Sequence, residues 1–305
     1  MAIPTSRTHE AASVVIDRAL CTGCGQCVTV CKDFTLRLCE GKASLAAQPI
    51  FGCVGCGHCM AVCSAGAIQV RGRSLVPEDM FSLPPREGAA DFAGLHALLQ
   101  RRRSVREFLP DAVAPEQIEA ILDAARTAPT GVPPSDVNVL VLDSLEKNRA
   151  FARDFCEHLK NLRWLTAPWF LTLMRPFWGR ANHELFSNFV RPALAAFTAS
   201  MDAGSNIVTY DAPLLMYFYA SAWADPADPV VAATLAMLAG EALGLGTCMI
   251  GSIHPLVQWG GSAARFRRQY GIAHKSREGL VVLFGRPRVQ YARGIERRFA
   301  SVARL

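Results

Sequence analysis

Apolar residues follow two different rhythms along the chain, and the change falls near residue 91. Before it, the apolar runs are short. Val14-Val15-Ile16 predicts a strand, 34–38 and 43–45 predict a hairpin around Glu40-Gly41-Lys42, and 67–70 predicts a closing strand. After it, the runs lengthen and turn helical. Phe92, Leu95, Leu98 and Leu99 recur at helical spacing. Pro115 opens a second helix running to Ala128, with Ile118, Ile121 and Leu122 on one face, Glu116 in its first turn and Pro129 as its stop. Residues 137–142 predict a strand apolar on both faces, hence a central one. Then come a helix over 145–158, an aromatic-rich helical stretch over 162–205 and a strand over 214–220. A buried alanine-rich helix over 229–243 follows, broken by the glycines of 244–251, and a core strand over 280–285 closes the pattern. Residues 1–12 read as a polar arm, and the arginine-rich tail 291–305 as a segment that wraps something. The stretch 76–91, with Pro77, Pro84, Pro85 and Gly88, has linker composition. The pattern predicts a small domain over 1–75, a linker over 76–91 and a larger domain over 92–305.

The small domain cannot hold itself together by burial alone, and its cysteines say what does. Nine of the chain's eleven cysteines lie from Cys21 to Cys63, and eight of these nine fall in two runs. They form Cys21-x2-Cys24-x2-Cys27-x3-Cys31 and Cys53-x2-Cys56-x2-Cys59-x3-Cys63, two copies offset by 32 residues. This is the bacterial ferredoxin spacing. Three close thiolates wrap three corners of a [4Fe–4S] cube, and the fourth comes from the last cysteine of the other run. Cys21, Cys24, Cys27 and Cys63 are thus expected on one cluster, and Cys53, Cys56, Cys59 and Cys31 on the second. Zinc sites use paired C-x2-C groups instead, which is a different grammar. A proline usually follows each run; Lys32 and Ser64 stand there.

The remaining Cys39, Cys156 and Cys248, with no signal peptide at the start, point to a reducing cytoplasm rather than to disulfides. A hydrophobic content of 51% supports a sizeable core in the larger domain. The net charge of +6 comes mostly from arginine, and no basic block is interleaved with aromatics, which argues against nucleic acid. No run of about 18 apolar residues occurs, so no transmembrane segment is expected.

A second constellation follows the first helix of the larger domain: Arg101-Arg102-Arg103-Ser104-Val105-Arg106-Glu107-Phe108. Guanidinium forks beside a hydroxyl make a dianion site, although a solvated charge run has the same composition. The stretch 102–108 resembles the amino-terminal signature of the FMN-dependent nitroreductase family. Further stretches similar to that family follow in its order: 124–131 (Ala-Ala-Arg-Thr-Ala-Pro-Thr-Gly), 211–213 (Asp-Ala-Pro), 242–251 (Ala-Leu-Gly-Leu-Gly-Thr-Cys-Met-Ile-Gly) and 283–287 (Leu-Phe-Gly-Arg-Pro). With the cysteine runs in front, the whole chain resembles the ferredoxin–nitroreductase fusion branch.

The resemblance implies an α+β fold: a nitroreductase-like mixed sheet flanked by helices, preceded by a small bacterial-type 2[4Fe–4S] ferredoxin domain. It implies FMN at the interface of an intertwined homodimer. Arg102, Ser104 and Arg106 would grip phosphate and ribityl, with Arg103 a candidate. Thr130 and Gly131 would approach the ring from the partner, Met249, Ile250 and Gly251 would line it, and Arg297 or Arg298 would close on the phosphate. The family often carries an asparagine and a glutamine after this glycine; Val132-Pro133-Pro134-Ser135-Asp136-Val137 stands here and is expected to shape the substrate mouth. The motif sets together predict a cytoplasmic oxidoreductase. Electrons would pass from a ferredoxin or flavodoxin through two clusters to FMN and on to a nitroaromatic, a quinone or an activated double bond. The alternative is an electron-transfer subunit serving a partner enzyme. No general acid stands out; Tyr210, His183 and His254 qualify by residue type only.

Overall fold

Strands of four residues bury very little, and the described strands in the first part of the chain are all of that length. In this computed structural model, which describes residues 11–32, 34–49, 52–131, 133 and 135–304, the elements of that part are β1 (Ser13–Ile16), α1 (Gln26–Val30), β2 (Leu36–Cys39), β3 (Lys42–Leu45), α2 (His58–Ala61) and β4 (Ile68–Arg71). Residues 1–10 of the expected arm, Val132 and Pro134 of the expected substrate mouth, and Leu305 of the tail lie outside the described residues. β1 pairs antiparallel with β4, and β2 with β3. The hairpin and the closing strand thus form where the pattern put them. Among the described residues the buried apolar ones here are few: Ala12, Leu36, Ala43, Met60, Ala67, Ile68 and Val70, with Cys27 and Cys59 beside them.

Residues 76–91 carry two short 3-10 turns, Pro77–Asp79 and Arg86–Gly88, with no buried residue. Then come α3 (Phe92–Arg101), α4 (Pro115–Arg126), β5 (Val137–Leu142), α5 (Leu145–Lys160), α6 (Pro168–Leu185), α7 (Arg191–Asp202), β6 (Leu214–Ala220), α8 (Ala227–Ala242), β7 (Gly246–Ile250), α9 (Ile253–Leu256), α10 (Gly261–Gln269) and β8 (Gly279–Gly285). The aromatic-rich stretch is helical as expected, broken at Gly179 and joined to α7 by a π-helical turn over Phe186–Val190. No helix among the described residues is long and apolar enough to cross a membrane.

β5 to β8 form one antiparallel sheet in the order β5-β6-β8-β7. Side chains alternate across it, as the pleat requires. Tyr217, Val281 and Leu283 face a core with Phe151, Phe155 and Phe266 from α5 and α10. Met216, Phe218, Val282 and Phe284 face Ile121 of α4 and Ala233, Ala236 and Met237 of α8. Each such side chain contributes about 1.5–3 kcal/mol of burial, so this double-sided packing is the stable part of the molecule. Behind the sheet, Tyr217 Oη and His254 Nδ1 are 2.8 Å apart, and Gln258 Nε2 donates to the same hydroxyl at 3.2 Å. Burial holds His254 below the usual histidine range and pushes the Tyr217 phenol up.

Three expectations need correction. The strand over 137–142 is not central: β5 is an edge strand. Its two faces are covered, Val137, Val139 and Val141 by one core and Leu140 and Leu142 by the other. A pattern of apolar positions reports covered faces, not covered edges. The alanine-rich helix starts two residues earlier than expected and ends one earlier, its fully buried residues lie on one face, and Leu243 beyond it is 39% exposed. The glycine stretch that ends it is not only a break, because Gly246–Ile250 forms strand β7.

Candidate functional site

Two cavities in the first part of the chain are each lined by four cysteines. Cys21, Cys24, Cys27 and Cys63 line one; Cys31, Cys53, Cys56 and Cys59 line the other. These are the two sets that the spacing joined. α1 and α2 start at glycines in the left-handed region, and each carries the third cysteine of its run into the interior. Gly23, between Cys21 and Cys24, passes so close to the hairpin that a Cβ would stand 2.1 Å from the Gly41 carbonyl oxygen. Backbone amides donate to sulfur: Ala43 N to Cys21 Sγ at 3.4 Å and Ala67 N to Cys63 Sγ at 3.3 Å. The Ala43 amide helps hold the Cys21 thiol below its usual range. Cys59 is pushed up to about 12, by burial first and then by Cys53, Cys56 and Cys31. Four thiolates converging on one cavity repel one another, and bound cations reverse that logic. Among the described residues no group of three or more His, Cys, Asp or Glu closes on a single ion. A ring of sulfurs around a cavity suits a cube of iron and sulfide instead, so the residues present fit the clusters.

The arginine stretch runs along the sheet edge formed by β7. Arg102 caps α3, and the chain then lies beside the strand: Ser104 bridges to Thr247, and Val105 N donates to Thr247 O at 2.8 Å. Extended backbone sends alternate side chains to opposite sides. Val105 packs onto Gly246, where a Cβ would stand 2.7 Å from Val105 Cγ2. Ser104 and Arg106 reach the Cys248 thiol, and the charge of Arg102 acts on it as well. Burial pushes that thiol up, and these three residues act against it. The Arg106 guanidinium lies 5.8 Å from the centre of the Tyr210 ring. Tyr210 and Asp211 both have positive φ, 51° and 50°, a strained pair that Arg149 holds through a two-pronged bond to Asp211 at 3.0 and 2.8 Å.

Arg103 turns away from the other three. Its Nη1 donates to the carbonyls of Gln100 and Arg102 at 2.8 and 2.6 Å, and its buried Nε has no partner among the described residues. A broad groove follows, lined by Arg101, Arg102, Arg103, Glu241 and the tail, including Arg297. Arg298 does not line it and pairs with Glu296 at 3.4 Å. Met249, Ile250 and Gly251 continue β7 away from the groove; Met249 is half-buried, Ile250 buried and Gly251 exposed. Thr130 and Gly131 are not brought to the arginines. Gly131 N donates to Asp228 at 2.9 Å, in the loop before β5 on the opposite sheet edge. Three strand spacings, about 14 Å, separate β5 from β7. Of the candidate acids, Tyr210 lies under Arg106, His254 is occupied behind the sheet, and His183 lies on α6.

The family comparison decides what this arrangement belongs to. The family model described as "Nitroreductase family" matches residues 99–286, more than half of the chain. The chain belongs to the nitroreductase family. A second model, "4Fe-4S single cluster domain", matches residues 14–49 and so takes in the first cysteine run. As a nitroreductase-family member with this front domain, the chain is an FMN-dependent oxidoreductase carrying an iron–sulfur module. Among solved structures it is similar to a nitroreductase with bound FMN from Bacteroides fragilis, at 15% identity and a TM-score of 0.52, covering 69% of this chain and 97% of that one. It is also similar to one with bound FMN from Desulfitobacterium hafniense, at 18% identity and a TM-score of 0.48, covering 68% and 98%. At such identities only the fold is shared. None of the curated proteins compared with this nitroreductase matches it.

The residues present fit the phosphate of FMN: Arg102, Ser104 and Arg106 are alternate positions of the extended stretch beside β7, and Ser104 and Arg106 reach Cys248. Glu241 was missed in the sequence, being the one acidic residue in an apolar helix end. It accepts a bond from Thr247 Oγ1 at 2.6 Å, and burial raises its carboxyl above the usual range against Arg102 and Arg103. An anion beside the phosphate site weakens binding. We expect Glu241→Gln to tighten FMN several-fold, about 1 kcal/mol. Wild-type affinity should approach that of the variant as pH falls and Glu241 takes up its proton. Fluorescence titration of FMN at several pH values checks this; equal affinities at neutral pH would contradict it.

Proposed function

We propose that this nitroreductase takes electrons singly from a donor such as a reduced ferredoxin or flavodoxin and delivers them in pairs to a small organic acceptor: a nitroaromatic, a quinone or an activated double bond. Residues 1–75 form the ferredoxin module, 76–91 the linker, and 92–305 the flavin domain of a homodimer. The observation that carries this reading is the pair of four-cysteine cavities in the same chain as the arginine hook. Cys21, Cys24, Cys27 and Cys63 hold one [4Fe–4S] cluster; Cys31, Cys53, Cys56 and Cys59 hold the second. Arg102, Ser104 and Arg106 grip the phosphate and ribityl of FMN, the ligand present in the Bacteroides fragilis structure of the same fold. Arg297 closes the groove, and Met249, Ile250 and Gly251 line the ring. Arg103 and Arg298 have the weaker claim, since each is engaged elsewhere. Thr130 and Gly131, three strands away, serve the flavin of the partner protomer. When bound, the clusters supply one-electron steps and the flavin two-electron chemistry.

Anaerobic reconstitution with iron, sulfide and FMN tests the reading. We expect roughly eight iron atoms and one FMN per chain, and dithionite-driven turnover with at least one member of the acceptor panel. Four iron atoms per chain would remove the second cluster, and absence of flavin absorbance would remove the scheme.

A further inference from the structure

The ferredoxin module touches the larger domain at a place that bears on which flavin it feeds. The chain after β4 makes a tight turn, with Gly72 and Leu75 bridged and both central residues, Arg73 and Ser74, at positive φ (54° and 65°). Glycine or asparagine normally fills such positions. Two non-glycine residues held there are a strained feature that the surroundings keep in place. The turn aims Arg73, whose Nη2 donates to the Pro133 carbonyl in the loop before β5. It also backs onto the second cysteine run: a Cβ on Gly55 would stand 3.4 Å from the Arg73 side chain, and one on Gly57 3.4 Å from Leu75. The cavity of Cys31, Cys53, Cys56 and Cys59 therefore abuts the turn that docks on the larger domain. The arginine hook of the same chain lies along β7, the opposite edge of the sheet. Thr130 and Gly131 share the docking loop with Pro133.

We infer that the ferredoxin module of one protomer feeds the flavin gripped by the arginine hook of its partner, with the Cys31, Cys53, Cys56 and Cys59 cluster as the last relay and Arg73 as the positioning residue. The inference rests on the homodimer proposed above, in which Thr130 and Gly131 serve the partner's flavin. Two electrons from an external one-electron reductant cross the subunit boundary singly. With two protons from solvent they reduce one FMN, and the organic acceptor then takes both electrons and both protons.

Two hybrid dimers, made by co-expression with different tags, test it. The split hybrid joins a Cys53→Ser, Cys56→Ser protomer with an intact hook to an Arg102→Ala, Arg106→Ala protomer with intact clusters. The joined hybrid places all four substitutions on one protomer and none on the other. Both contain one complete module and one complete hook, so folding and cofactor losses are matched. With reduced flavodoxin as donor, the flavin of the split hybrid should bleach faster, on the order of tenfold. The FMN fluorescence lifetime, read without donor, should be shorter in the split hybrid, because the cluster lies nearer. Arg73→Ala in wild type should lengthen that lifetime and slow bleaching, and Arg73→Lys, which keeps a donor for Pro133, should recover part of both. A faster joined hybrid, or equal rates and lifetimes, overturns the inference. If the wild-type dimer itself passes no electrons from clusters to flavin, the parent reading has failed and this one with it.

Discussion

Replacing Arg102 and Arg106 together by alanine should weaken FMN binding by about two to four orders of magnitude. Hydrogen bonds to a charged partner are worth about 1.5–3 kcal/mol each, and two of them are lost. The geometry localises the effect. These two arginines flank Ser104 on the extended stretch beside β7, whereas Arg103 is folded onto backbone carbonyls and should matter much less. The strand beneath keeps its ladder to β8, since the extended stretch is held by backbone bonds that alanine preserves. Fluorescence titration of the apoprotein with FMN reads the loss, with Arg103→Ala as the comparison. A shift of less than threefold in the double variant would place the phosphate elsewhere.

Stripping iron should unfold the ferredoxin module and leave the larger domain intact. Two-stranded sheets are marginal in water, and both sheets of the module are two-stranded with strands of four residues. Among its described residues the buried apolar side chains are Ala12, Leu36, Ala43, Met60, Ala67, Ile68 and Val70, with Cys27 and Cys59 beside them. Burial raises the Cys59 thiol, so without iron it brings a neutral thiol and no metal bond to its cavity. Metal binding in such small folds is folding free energy. Hydrogen exchange before and after anaerobic chelation reads this. Amides of Ser13–Ile16 and Ile68–Arg71 should lose protection, while those of Leu214–Ala220, buried throughout, should keep it. Unchanged protection in β1 and β4 would mean that packing alone holds the module.

How far the sequence could be read depended on whether spacing or topology carried the information. The cysteine runs were legible because ligand geometry imposes a fixed spacing, and the two cavities gather the sets that the spacing implies. The helices over 92–101, 115–126 and 145–160 were legible from their period. The edge position of β5 was not, because its faces are covered like those of a central strand. β7 was hidden by its glycines; Gly246 is needed to let Val105 approach. Glu241 and Arg73 were invisible as single charged residues without motif partners. The first acts through Thr247, six residues on, and the second through Pro133, sixty residues on.

The order of two colour changes tests the wire from clusters to flavin most directly. Reconstituted protein is mixed anaerobically with reduced flavodoxin, and the iron–sulfur and flavin absorbances are followed together. Wild type should lose the cluster colour first and the flavin colour after it, and a Cys56→Ser, Cys59→Ser protein should leave its flavin oxidised over the same interval. Flavin bleaching at an unchanged rate in that variant would mean that the donor reaches FMN without the cysteines, contrary to the relay.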